Sequence, residues 1–183
     1  AGDLVTAQAL YAEVLRASPR HFAALYALGV SYCQQGQHAR GVPFLEQALA
    51  VQPDYAEAHS NLASALNALS RHEEAITHGE RAVALDPACA EAYSILGDAL
   101  HAFARDDEAI VRYERAVELK PAYTEAYCNL GNALQALARY DEAIARYEQA
   151  LALRPDFAPA HTNRGNALYA LGRPGQALPH YER

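Results

Sequence analysis

Pro19, Pro53, Pro87, Pro121 and Pro155 stand 34 residues apart. A fixed period of that length restricts a chain to architectures made by stacking one supersecondary unit many times. A second column keeps the same register: Gly29, Ala63, Gly97, Gly131 and Gly165. Each unit holds two helical patterns. In the third, Tyr93, Leu96, Gly97 and Leu100 follow the i, i+3, i+4, i+7 spacing of one apolar stripe, and Ala109, Tyr113, Ala116 and Val117 form a stripe on a second helix. Glycine inside a helix costs about 1 kcal/mol relative to alanine, so the glycine column calls for close approach of the paired helix.

The residue before a proline is pushed out of helical geometry, which ends the second helix of each unit. Pro43 and Pro179 are expected in the first turn of their second helices, where proline is tolerated. Arg71, Arg105, Arg139 and Arg173 lie between the helices, followed by Glu73-Glu74, Asp107-Glu108 and Asp141-Glu142. Cations closing one helix and anions opening the next suit the helix dipoles.

The columns of aromatic or His, Leu, Gly and Leu, then Ala, Tyr and Ala, then Pro resemble the tetratricopeptide repeat family along the whole chain. The resemblance implies an all-α fold, a right-handed superhelical solenoid of helix-turn-helix units. As one array over 1–183 it gives complete repeats at 22–55, 56–89, 90–123 and 124–157. Residues 1–21 form the second helix of a preceding repeat, and 158–183 a truncated repeat. With both ends inside a repeat and no polar capping helix, the chain reads as part of a longer protein.

In this family first helices line the inner curve. Steps of roughly 100° around these helices put one set of columns opposite the packed stripe: Glu57, Asn61, Ser64, Ala68; Glu91, Ile95, Asp98, Ala102; Glu125, Asn129, Asn132, Ala136; Pro159, Asn163, Asn166, Ala170. That wall is amide-rich, mildly acidic and free of Lys and Arg. Asparagine is a mediocre helix former, and its recurrence at 61, 129 and 163 and at 132 and 166 suggests compensation. A side-chain amide donates and accepts at once, so a row of them suits the backbone of an extended peptide. The alternative is a solvated surface copied by repeat duplication. The groove is therefore assigned Asn61, Asn129, Asn132, Asn163, Asn166, Glu57, Glu91, Asp98 and Glu125, with neutral to basic peptide segments as partners.

The runs Ser60-Asn61-Leu62, Cys128-Asn129-Leu130-Gly131-Asn132 and Thr162-Asn163-Arg164-Gly165-Asn166 are also similar to the repeat arm of O-linked N-acetylglucosamine transferases and their bacterial relatives. That resemblance implies an inner asparagine ladder gripping substrate backbones through Asn61, Asn129 and Asn163, interrupted at Ala27 and Ile95.

A net charge of −7, with 15 basic residues spread along the chain, argues against nucleic-acid binding. Apolar runs fall short of the roughly 20 residues that span a bilayer. Cys33, Cys89 and Cys128 have no metal-ligand spacing and are odd in number, which suits reduced thiols in a cytoplasmic protein. His59 and His161 share a column with Leu25, Tyr93 and Tyr127, so packing is their expected role. Asp98 and His101 are three apart and could pair, but fall short of a metal-ligand set. Gly79 takes the place of Tyr113 and Tyr147, leaving its repeat less apolar burial. Arg164 replaces the leucine of Leu62, Leu96 and Leu130, and either reaches the groove or neutralises a neighbouring carboxylate. No nucleophile elbow, phosphate loop or catalytic carboxylate pair is present, so neither catalysis nor a cofactor is expected. Three functions follow: a peptide-binding scaffold, the substrate-recruiting arm of a larger glycosyltransferase, and a solenoid that self-associates through exposed repeat ends.

Overall fold

The computed structural model of the chain describes residues 2–181, with side chains described for 7–180. Among these residues every regular element is an α-helix. α1 (Gly2–Ala17) precedes five pairs: α2 (Phe22–Gln34) and α3 (His38–Val51), α4 (Ala56–Ala68) and α5 (His72–Leu85), α6 (Ala90–Ala102) and α7 (Asp106–Leu119), α8 (Thr124–Ala136) and α9 (Tyr140–Leu153), α10 (Ala158–Ala170) and α11 (Pro174–Tyr181). The chain divides into two compact units, residues 1–88 and 89–183. Within each, a first helix packs on its own second helix and on the second helix of the repeat before it. No helix among the described residues is long and apolar enough to cross a membrane.

The turn inside each pair has one geometry. Gly36, Ser70, Ala104, Ala138 and Gly172 all have φ between 57° and 72°. The amide of each bonds three residues back, and the next amide bonds five residues back, as in Ser70 N–H to Asn67 O and Arg71 N–H to Leu66 O, both 2.9 Å. This is a Schellman closure, which satisfies carbonyls a helix end leaves unpaired. The turn is so short that Arg71, Arg105 and Arg139 become the N-caps of α5, α7 and α9. Each guanidinium forks onto both carboxylate oxygens of the glutamate three residues on: Glu74, Glu108 and Glu142. The arginines thus organise the start of the second helix and do not sit in the last turn of the first.

The same early start corrects the proline expectation. α3 begins at His38 and α11 at Pro174, so Pro43 and Pro179 lie inside their helices, past the first turn. Pro43 and Ala39, whose carbonyl loses its helical partner, are both exposed, so water can replace that bond.

Alanine and leucine build the core. Ala58, Ala75, Ala82, Ala92, Ala109, Ala116, Ala126 and Ala143 are buried at the helix contacts, and Leu45, Leu62, Leu66, Leu96, Leu100 and Leu130 are among the largest fully buried side chains. Each leucine contributes roughly 1.5–3 kcal/mol by leaving water. Tyr113 and Tyr147 are buried with them, and here the glycine column finds its cause. A Cβ on Gly97 would lie 2.6 Å from the Tyr113 ring, and one on Gly131 2.5 Å from the Tyr147 ring. In the same columns repeat 56–89 carries Ala63 and Gly79, both buried.

Candidate functional site

In residues 89–183 the first-helix face is organised around two acceptor oxygens. Asp98 Oδ1 accepts from the Tyr113 hydroxyl at 2.7 Å and from Asn129 Nδ2 of the next repeat at 2.9 Å. One period later, Asn132 Oδ1 accepts from the Tyr147 hydroxyl at 2.9 Å and from Asn163 Nδ2 at 2.7 Å. Each tyrosine ring crosses over the glycine of its first helix, and its hydroxyl emerges on the predicted groove side. A carboxylate can only accept, so Tyr113 and Asn129 must donate. The repeat-equivalent Tyr147 and Asn163 donate likewise, which fixes the Asn132 amide with its oxygen inward.

Asn132 Nδ2 is thereby turned away from the hub. The Gln135 side chain lies beside it, 3.2 Å from the Tyr147 hydroxyl, whose single proton is already given to Asn132. His101, Asn132, Gln135, Ala136 and Asn163 line an open recess of about 350 Å³. His101 does not pair with Asp98. Its Nδ1 donates to Asp106 across the turn, while Asn67 accepts from His72 Nδ1 at 2.7 Å in the same columns of repeat 56–89. The hub is dry enough to shift its acids. Desolvation raises the Asp98 carboxyl above the usual range against the opposing pull of Tyr113 and Asn129. Burial also pushes the Cys128 thiol up to about 11, partly offset by a hydrogen bond from Asn163.

The structure brings together Asp98 with Asn129 and Asn132 with Asn163. Asn166 is exposed at the end of this row. Glu91 and Glu125 are exposed but not free: Lys120 Nζ reaches Glu91 at 2.5 Å and Arg154 reaches Glu125 at 2.7 Å. Those bonds hold both carboxyls below their ordinary range. Arg164 turns to Glu148 on α9, neutralising a carboxylate. In residues 1–88, Asn61 Nδ2 donates to the Tyr26 hydroxyl at 2.8 Å, and Glu57 accepts from the Tyr55 hydroxyl at 3.2 Å. Sequence reasoning missed the tyrosine hydroxyls, Gln135 and the Lys120 and Arg154 partners. The repeated tyrosine column was the signal for the first. Among the described residues no group of three His, Cys, Asp or Glu side chains could hold a metal ion.

A family model described as tetratricopeptide repeat matches residues 20–88, and one described as TPR repeat matches residues 105–138 and 136–172. No curated protein matches the chain. Among solved structures, a crystal structure of MamA is 26% identical with a TM-score of 0.76, covering 85% of this chain and 91% of that one. TTC0263, a thermophilic TPR protein of Thermus thermophilus, is 25% identical with a TM-score of 0.75, covering 88% of each chain. YrrB, titled a TPR protein with an unusual peptide-binding site, is 20% identical with a TM-score of 0.73 over 94% of this chain and 89% of that one, a likeness of fold. The similarity to glycosyltransferase repeat arms finds no support among these structures, and that reading rests on the asparagine runs alone. The 34-residue columns, the glycine slots filled by the paired helix and the matched spans agree: the chain belongs to the tetratricopeptide repeat family.

Proposed function

We propose that this chain is a non-catalytic scaffold that binds an extended peptide along its first-helix face, centred on the recess of His101, Asn132, Gln135 and Asn163. The observation that carries this reading is the fixed orientation of Asn132. Its amide donor is aimed away from the hub, while Asn129 and Asn163 spend donors inward and keep carbonyl oxygens. Donors and acceptors in one row match the alternating C=O and N–H of an extended backbone. Each neutral bond nets only about 0.5–1.5 kcal/mol, so affinity is modest and grows with the repeats engaged. Because Lys120 and Arg154 neutralise Glu91 and Glu125, neutral segments fit best and any preference for basic ones is small and salt-sensitive. Selection of linear peptides from a displayed library, followed by chemical-shift mapping of a bound peptide, tests the reading. Perturbations are expected on α8 and α10 around the recess; mapping to the outer faces of α7 and α9 would reject it.

The asparagine runs at 61, 129 and 163 favour a second reading, the substrate-recruiting arm of a larger glycosyltransferase. A nucleotide-sugar transferase domain encoded in the same gene would establish it.

A further inference from the structure

Two repeats carry histidine in two columns at once. His59 and His78 are 19 residues apart, as are His161 and His180, whereas the same columns hold Leu25 with Phe44, Tyr93 with Arg112 and Tyr127 with Arg146. Both pairs are built alike. His59 Nδ1 faces His78 Nδ1 at 2.9 Å, and His161 Nδ1 faces His180 Nδ1 at 3.2 Å. The other ring nitrogen of each first-helix histidine, Nε2, lies 2.8 Å from a carbonyl, that of Pro53 or Pro155.

These contacts fix the protons. A carbonyl only accepts, so His59 Nε2 carries hydrogen, and in the neutral ring Nδ1 is a bare acceptor. His78 must then donate from Nδ1 and leave its Nε2 bare. Since His78 is only half-buried and His59 is buried, the first added proton enters at His78 Nε2 and keeps the Nδ1–H···Nδ1 bond. A second has only His59 Nδ1 to bind. Two N–H groups would then face each other between two cations, and the bond is lost.

We infer that the His59–His78 pair is a proton-operated latch between α4 and α5, closed with up to one extra proton and opened by a second, and that His161 and His180 repeat it between α10 and α11. Repeat 56–89 depends on the latch because Gly79, next to His78, stands where Tyr113 and Tyr147 anchor their repeats. The groups acting on His78 are His59 from α4, and Glu74 and Arg71 from α5; Arg71 also reaches Glu46 of α3. Desolvation foremost, then His59, hold the His78 imidazole below its ordinary range, against the opposing pull of Glu74. That depressed value means stability is lost as pH falls below the unfolded value of about 6.5 while the first proton is taken up with the bond still closed; loss of the bond on the second proton adds to it.

The test compares the parent with H59L/H78F, which installs the Leu25–Phe44 combination of repeat 22–55. Thermal melts and amide exchange are read at pH 7.5 and 4.5, with all other ionisable groups common to both proteins. The parent should lose exchange protection in α4 and α5 on acidification while the variant keeps it, and the fall in Tm should be smaller in the variant by roughly 2–4 °C. Should H59L/H78F fail to fold, H59Y/H78R supplies the Tyr93–Arg112 combination for the same comparison. Equal acid sensitivity in parent and variant overturns the latch, as does a nitrogen NMR signal showing His59 Nδ1 protonated at pH 7.5.

Discussion

Asn163 donates its side-chain amide to Asn132 Oδ1 at 2.7 Å, joining the first helices of successive repeats. The asparagines are therefore structural staples as well as groove residues. Asn163→Ala should cost about 0.5–1.5 kcal/mol, measured by urea denaturation. Replacing Asn129, Asn132, Asn163 and Asn166 together by alanine should preserve helix content by circular dichroism, lower stability, and weaken binding of a selected peptide. Unchanged stability would show that the staples carry no net free energy.

The tyrosine and glycine columns form a size-matched pair. Gly97→Ala or Gly131→Ala should destabilise by roughly 1–3 kcal/mol, because the new methyl enters space held by a buried ring. Conversely, repeat 56–89 lacks the ring. Ala63→Gly combined with Gly79→Tyr should gain about 1.5–3 kcal/mol through aromatic burial, while Gly79→Tyr alone should gain far less. A double-mutant cycle read by thermal melts measures the coupling, and additive single effects would contradict it.

The left-handed turn position is glycine at 36 and 172 but alanine at 104 and 138. An alanine there costs roughly 1–2 kcal/mol in steric strain, partly recovered through the stiffer unfolded chain. Ala104→Gly and Ala138→Gly should each raise stability by about 0.5–1 kcal/mol, which differential scanning calorimetry can resolve.

Asp98 and Asn132 occupy equivalent hubs, one ionisable and one not. The Asp98 carboxyl is raised by desolvation, so the folded state holds its proton more tightly than the unfolded chain. That destabilises the fold once pH rises above the unfolded value of about 3.9, and fully so above the folded one. Asp98→Asn should therefore be more stable than the parent at pH 7, with the advantage vanishing as pH falls to about 4. A constant difference across a pH series of melts would contradict this.

The repeat boundaries, helix pairs and buried stripes were legible because they depend on side-chain period alone. Gly97 and Gly131 even announced a close neighbour, though not which one. The Tyr113 hydroxyl could not be followed to Asp98, since that requires the depth of the helix it crosses. Ser70, Ala104 and Ala138 hide a left-handed turn that only Gly36 and Gly172 advertise, which is why Pro43 and Pro179 read as first-turn residues. At the groove face the residues were readable but their partners were not. Glu91 and Lys120 are 29 residues apart, as are Glu125 and Arg154, and meet only once a repeat has folded back on itself.

The rings of Tyr113 and Tyr147 sit in notches one residue wide, flanked along their helices by residues that carry side chains. Axial sliding of α7 on α6, or of α9 on α8, would drive the ring out of its notch against those flanking groups. Lateral separation meets no such obstruction. These helix pairs are consequently stiff in shear and compliant in peeling. Of the pairs α4–α5, α6–α7 and α8–α9, α4 with α5 has no ring key and relies on the His59–His78 contact instead, so it should be the first of the three to slip under load, at Ala63 and Gly79.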